Sequence, residues 1–206
     1  MAKTNDTNLS LVFDLRKPNV DIKHTVIKRN IKNPRLEFKH GDLFVIVPTR
    51  GVFDVEAFVV RHARWIKKHS AYYESLKLHA DKFALEPRLA AEFQKLVTSY
   101  LDEAAEYYKV EPKELRFKTL RSRWGSCTNT GIITINLKLR YFSDDIIRYV
   151  VCHEVVHMRV RKHDRNFYAL LAGNFPNFKD MDKNLTAYEY LLHKSEVFDF
   201  KFPKQA

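Results

Sequence analysis

The chain has 206 residues, of which 45% are hydrophobic and 13% aromatic, with only 5 glycines and 7 prolines. This fits one sizeable folded domain, or a domain with an appendage, and excludes a disordered, fibrous or loop-dominated chain. The net charge of +11, from 36 Lys and Arg against 25 Asp and Glu, is scattered, so it reads as a solvated basic surface that is compatible with an anionic partner, nucleotide or nucleic acid.

The opening MAKTNDTNLS is polar and lacks the apolar core of a secretory signal. No stretch approaches the roughly 20 apolar residues of a membrane span, and Cys127 and Cys152 make no disulfide framework. The expected location is the cytoplasm, with no membrane partner. The sequence assigns no oligomeric state.

Residues 1–21 show no clear period and read as an N-terminal arm. HTVIKRN, PRLEFKH and DLFVIVP then alternate as three strands, with HGD at 40–42 as a turn signal, and predict an antiparallel meander. Asp54 is placed to cap a helix. Val55, Phe58, Val59, His62, Trp65, Ile66 and His69 carry its helical spacing. Pro87 suits the first turn of a second long helix, striped by Leu89, Phe93, Leu96, Val97, Tyr100, Leu101, Ala104 and Tyr108. LRFKTLRSRWGSC and GIITINLKL predict strands around a turn at TNTG. Ser143 then caps a helix with Asp144 and Asp145 in its first turn, where carboxylates suit the dipole. Two more helices are predicted near 165–172 and 185–194, and residues 196–206 form a tail.

The helix after Ser143 carries VVCHEVVHMRVRKH, residues 150–163. Residues i and i+4 of a helix share a face, so His153 and His157 can offer two imidazole nitrogens to one ion. Glu154, one residue on, can reach a water at that ion without ligating it, which is the H-E-x-x-H arrangement of zinc hydrolases. Ile147, Val151 and Val155 occupy the opposite face and predict a core contact. A catalytic zinc site needs a third protein ligand. His163 is the preferred candidate, provided that the chain turns back after about residue 158 and Asp164 starts the next helix. Glu189 in LTAYEYLL is the rival. The expected stoichiometry is one Zn2+ per chain.

Three further features bear on substrate. Arg121 and Arg123 alternate along a predicted strand, so they share a face that suits a carboxylate or phosphate. The strand containing Ile133 and Ile135 precedes the motif helix and is a candidate to pair with an extended peptide. Cys127 and Cys152 read as small buried hydrophobes.

RSRWGSC, GIITINLKL and YVVCHEVVHM with KHDRNF together resemble the YgjP-like family of predicted zinc metallopeptidases, related to the minimal zincins that include SprT-like and WLM proteins. The likeness runs from about residue 22 to 194 and takes in VIVP and FVVRHARWIKKH. It implies an α+β fold. A zincin-like core at 84–195 has its active-site helix packed on a twisted mixed sheet, and the N-terminal meander and helix at 22–80 join it in a single domain over 22–195. It also implies that His153, His157 and His163 hold zinc and that Glu154 is the base. The family pattern around the third histidine is Asn-His-Ser followed by an aromatic pair. Here it reads Lys162-His163-Asp164, followed by Phe167-Tyr168.

The expected function is therefore zinc-dependent hydrolysis of a peptide or protein substrate. Two alternatives stay open on the sequence. One is a phosphohydrolase or nucleotide pyrophosphatase using the same site, with Arg121 and Arg123 on the phosphates. The other is a nucleic-acid-associated protein whose zinc site is non-catalytic.

Overall fold

A computed structural model describes residues 22–195; the arm expected over 1–21 and the tail over 196–206 lie outside the described residues. The chain divides into two compact units between Glu74 and Ser75.

In the first unit, β1 (Thr25–Arg29), β2 (Arg35–Lys39) and β3 (Asp42–Pro48) stand where the alternation predicts them. His40 and Gly41 make the β2–β3 turn with φ of 51° and 93°, the two positive values that a two-residue hairpin turn matched to strand twist requires. The pairing differs from a simple antiparallel meander. β3 is central, antiparallel to β2 and parallel to β1. The reason is the apolar run of β3. Val45, Ile46 and Val47 are consecutive and all buried, so both faces of β3 are covered, whereas β1 is largely exposed. A strand buried on both faces takes the middle of the sheet.

Asp54 caps α1 (Val55–Arg61), its Oδ1 accepting from the Ala57 amide at 2.9 Å. The single helix expected through His69 is divided at His62, the C-cap of α1, after which α2 runs Ala63–Ala80. Ile22, Leu43, Val45, Val47, Val59 and Ile66 form the core of this unit.

In the second unit, Phe93, Val97, Leu101, Ala104 and Tyr108 form the buried stripe of α3 (Ala90–Tyr108). The helix starts at Leu89 rather than Pro87, and the Glu92 carboxylate accepts from the Leu89 amide. Pro87 belongs to the extended stretch before it. The Glu86 and Arg88 amides donate to the carbonyls of Tyr141 and Arg140. Pro87, having no N–H, takes the position between two donors.

LRFKTLRSRWGSC makes two strands. β4 (Glu114–Lys118) and β5 (Gly125–Cys127) flank β6 (Ile132–Asn136), β4 parallel and β5 antiparallel to it. The link between β4 and β5 is fastened by the buried side chain of Asn136. Its Nδ2 donates to the carbonyls of Leu120 (3.0 Å) and Arg123 (2.8 Å), and its Oδ1 accepts from the amides of Leu120 and Lys138. The chain then passes through a 3₁₀ turn, Leu137–Tyr141, into α4 (Asp144–Val156).

Nine of the thirteen α4 residues are buried, so this helix is covered on most sides. It packs on β5 and β6 and against α3, α5 (Arg165–Asn174) and α6 (Phe178–Lys194). α6 begins seven residues ahead of the predicted start. The fold is α+β, with the motif helix against a mixed sheet. Among the described residues no helix is long and apolar enough to cross a membrane.

Candidate metal centre

His153 lies in the last turn of α4 and His157 caps it. The chain then turns back, and the Asp164 carboxylate accepts from the amides of Asn166 (2.9 Å) and Phe167 (3.2 Å) to start α5. That cap sets His163 on the rim of the turn. The result is a convergence of three rings. Ligand atoms of His153, His157 and His163 all lie within 4.8 Å of one another, and the Nε2 atoms of His153 and His163 are 3.0 Å apart. Phe167, fully buried, packs against all three rings with centroids 4.7 to 4.8 Å away.

The donor chemistry fits a metal such as zinc. Burial, followed by the charges of His157 and His163, pushes the His153 imidazole down to about 3. Burial also lowers His157. Both are therefore neutral at pH 7 and present lone pairs rather than protons. His157 Nδ1 lies 3.1 Å from the Val160 carbonyl. As donor to that oxygen it leaves Nε2 unprotonated, the outer-shell arrangement usual for ligating histidines. Glu189 is absent from this group. It lines a separate pocket with Lys138, Arg121 and His193.

Glu154 is 7% exposed and opens onto a cleft of about 440 Å³ shared with the three histidines, Arg123, Trp124, Gly125 and Cys127. Burial raises its carboxyl to about 7 against the opposing charge of Arg123. Its position depends on a residue that sequence reasoning passed over. A Cβ on Gly125 would fall 2.6 Å from Glu154 Cγ and Oε1 and 2.8 Å from Cδ. The glutamate fills the space that any other side chain at 125 would need. The signal was present as the lone glycine inside a strand pattern, which marks a close approach.

The substrate residues require corrections. Ile133 and Ile135 are 0% exposed, and β6 is bonded on both edges, to β4 and to β5; it offers no edge to a peptide. Periodicity alone does not say which strand of a sheet is outermost. β4 and β5 are the edge strands, and β5 is the one that lines the histidine cleft. Asn136 N donates to Trp124 O, and Thr128 N donates to Ile132 O, both at 2.9 Å. Antiparallel alternation therefore turns the amides and carbonyls of Gly125 and Cys127 outward. Arg161 caps part of that edge, donating to the carbonyls of Cys127 (3.1 Å) and Thr128 (2.7 Å) and reaching Cys127 Sγ at 3.4 Å.

Arg121 and Arg123 lie in the link before β5, not on a strand. Arg123 lines the histidine cleft and Arg121 the Glu189 pocket, although Arg123 also borders the latter. Cys152 is buried, as expected, its thiol pushed up to about 11 mainly by burial. Cys127 is only half-buried and lines the cleft.

The sequence of residues 76–188 matches the YgjP-like, metallopeptidase domain family. No curated protein is similar at a significant level. Among solved structures, the chain is similar to the metallopeptidase zymogen abylysin of Pyrococcus abyssi, at 18% identity and a TM-score of 0.41, over 43% of this chain and 90% of that one. It is also similar to the zymogen jannalysin of Methanocaldococcus jannaschii, at 17% identity and a TM-score of 0.40, over 46% and 89%.

Proposed function

This chain belongs to the YgjP-like family of metallopeptidase domains, and on that premise we propose that it hydrolyses peptide bonds. One zinc ion would be held by His153, His157 and His163. The observation that carries this reading is the convergence of three imidazoles beside a buried carboxylate in one cleft. When bound, zinc supplies Lewis acidity, polarising a carbonyl and making a water easier to deprotonate.

The chain's own groups do the rest. Glu154 is the general base. Its buried carboxylate opens onto the same cleft as the three histidines, takes the proton of the attacking water and later returns it to the leaving amine. Gly125 leaves room for that carboxylate, and Phe167 closes the apolar side of the histidines. Arg123 supplies positive charge in the cleft where the carbonyl oxygen gains negative charge. The outward amide and carbonyl of Gly125 pair with an extended substrate, the role that β6 cannot fill.

The phosphohydrolase alternative loses its specific support, because Arg121 does not line the histidine cleft that Arg123 lines. A cytoplasmic location, with both cysteines free, and treatment of residues 22–195 as one functional domain belong to the same proposal.

The test is to incubate the zinc-loaded chain with a broad peptide library and with nucleoside triphosphates, beside a Glu154→Gln control. Peptide cleavage lost in the control is the expected result. Phosphate release lost in the control, with no peptide cut, would overturn the proposal.

A further inference from the structure

The cleft has a feature that hydrolysis itself does not use. Asp182 and Leu185 of α6 line it together with Trp124, Tyr149 and Val150. The Tyr149 hydroxyl donates to Asp182 Oδ1 at 2.5 Å. Tyr149 precedes His153 by four residues on α4, so it lies on the same helix face one turn away. The bond therefore fixes the exposed Asp182 carboxylate at the cleft that the histidines line.

Among the described residues Asp182 makes no ion pair, although the chain carries 36 Lys and Arg. The two arginines that line the cleft are engaged elsewhere. Arg161 is bonded to the carbonyls of Cys127 and Thr128, and the charge of Arg123 acts on Glu154. One carboxylate oxygen thus accepts from a neutral phenol, and the negative charge has no partner. The same cleft offers the apolar surface of Trp124, Val150 and Leu185. A long side chain with an aliphatic stem and a cationic head matches both features, the stem on the apolar surface and the head on the carboxylate.

We infer that Asp182 is a specificity-determining residue that selects a substrate with a Lys or Arg side chain next to the scissile bond. This rests on the peptidase reading above. A peptide's terminal ammonium carries the same charge but has no stem to cover Trp124 and Leu185, so the side chain is the better match.

The test separates binding from hydrolysis. Fluorescently labelled peptides, blocked at both ends and differing only in Lys or norleucine, are titrated by anisotropy against zinc-loaded, full-length Glu154→Gln. The Lys peptide should bind roughly tenfold tighter, and Asp182→Asn on this background should erase the difference. The asparagine keeps the acceptor for Tyr149, so the fold is retained. Equal binding of the two peptides, binding of neither, or a preference that survives Asp182→Asn would overturn the inference. So would a preference seen only with an unblocked amino terminus, which would assign Asp182 to the terminal ammonium. If the Lys contrast holds while wild-type protein leaves the same peptides uncut, the peptidase reading fails and the Asp182 subsite stands.

Discussion

Gly125→Ala is the sharpest perturbation available, because it adds one methyl group to the wall that holds the proposed base. The new Cβ would lie 2.6 Å from Glu154 Cγ and Oε1, against 3.4 Å for the closest ordinary contact, an overlap of roughly 0.8 Å. The backbone has little room to give. α4 is buried at Val151, Cys152, Val155 and Val156 around the glutamate, and β5 is tied to β6 in register. Relief falls on the Glu154 side chain, whose carboxylate must move by a comparable distance. A displacement near 1 Å at a catalytic group costs about 10²-fold in turnover, while overpacking costs about 1–3 kcal/mol of stability. The three atoms nearest the new Cβ all belong to Glu154, so the histidines should keep their metal. The assay is turnover per bound zinc, with zinc by elemental analysis and Tm by calorimetry. Gly131→Ala is the control. Its φ of 80° makes alanine strained there, and Met158 rather than Glu154 is the nearest side chain, so stability should fall while turnover per zinc holds. Wild-type turnover in Gly125→Ala would refute the placement of the base.

Four further outcomes follow from the same site. His153→Ala and His157→Ala should each lose most of the zinc, and His163→Ala should weaken it strongly, whereas Glu189→Ala should leave the zinc content unchanged; retention in all three histidine variants would move the site elsewhere. Glu154→Gln should keep its zinc and lose about 10²-fold or more in hydrolysis. In the metal-free protein, Glu154 is held near 7 when folded and returns to about 4.3 when unfolded. Its contribution to stability is therefore complete below about pH 4 and lost as pH rises through 7. The Tm of metal-free Glu154→Gln should accordingly gain on wild type between pH 5 and 8, by the equivalent of up to about 3 kcal/mol, and a constant offset across that range would contradict it. Asn136→Ala should release the link before β5, leaving buried backbone groups unpaired at a cost of about 2–4 kcal/mol, read as a lower Tm together with faster proteolysis within 119–124.

What the sequence by itself determined was local. The His153, Glu154 and His157 face follows from helical spacing, the Asp54 and Asp164 caps from residue type, and the His40-Gly41 turn from the need for positive φ. Those features depend on neighbours within about four residues, which are written into the chain order. Tertiary structure decided everything that depends on which segment lies beside which. β3 rather than β2 occupies the middle of the first sheet, and β5 rather than β6 presents an edge to the cleft. RSRWGSC is broken by the Asn136 latch, and of its two arginines Arg123 lines the histidine cleft while Arg121 does not. Gly125 and Asp182 lie 29 and 28 residues from Glu154 in the chain, separations that no periodicity can pair with it; only the packing of β5 and α6 on α4 brings the glycine against the base and the carboxylate into the histidine cleft.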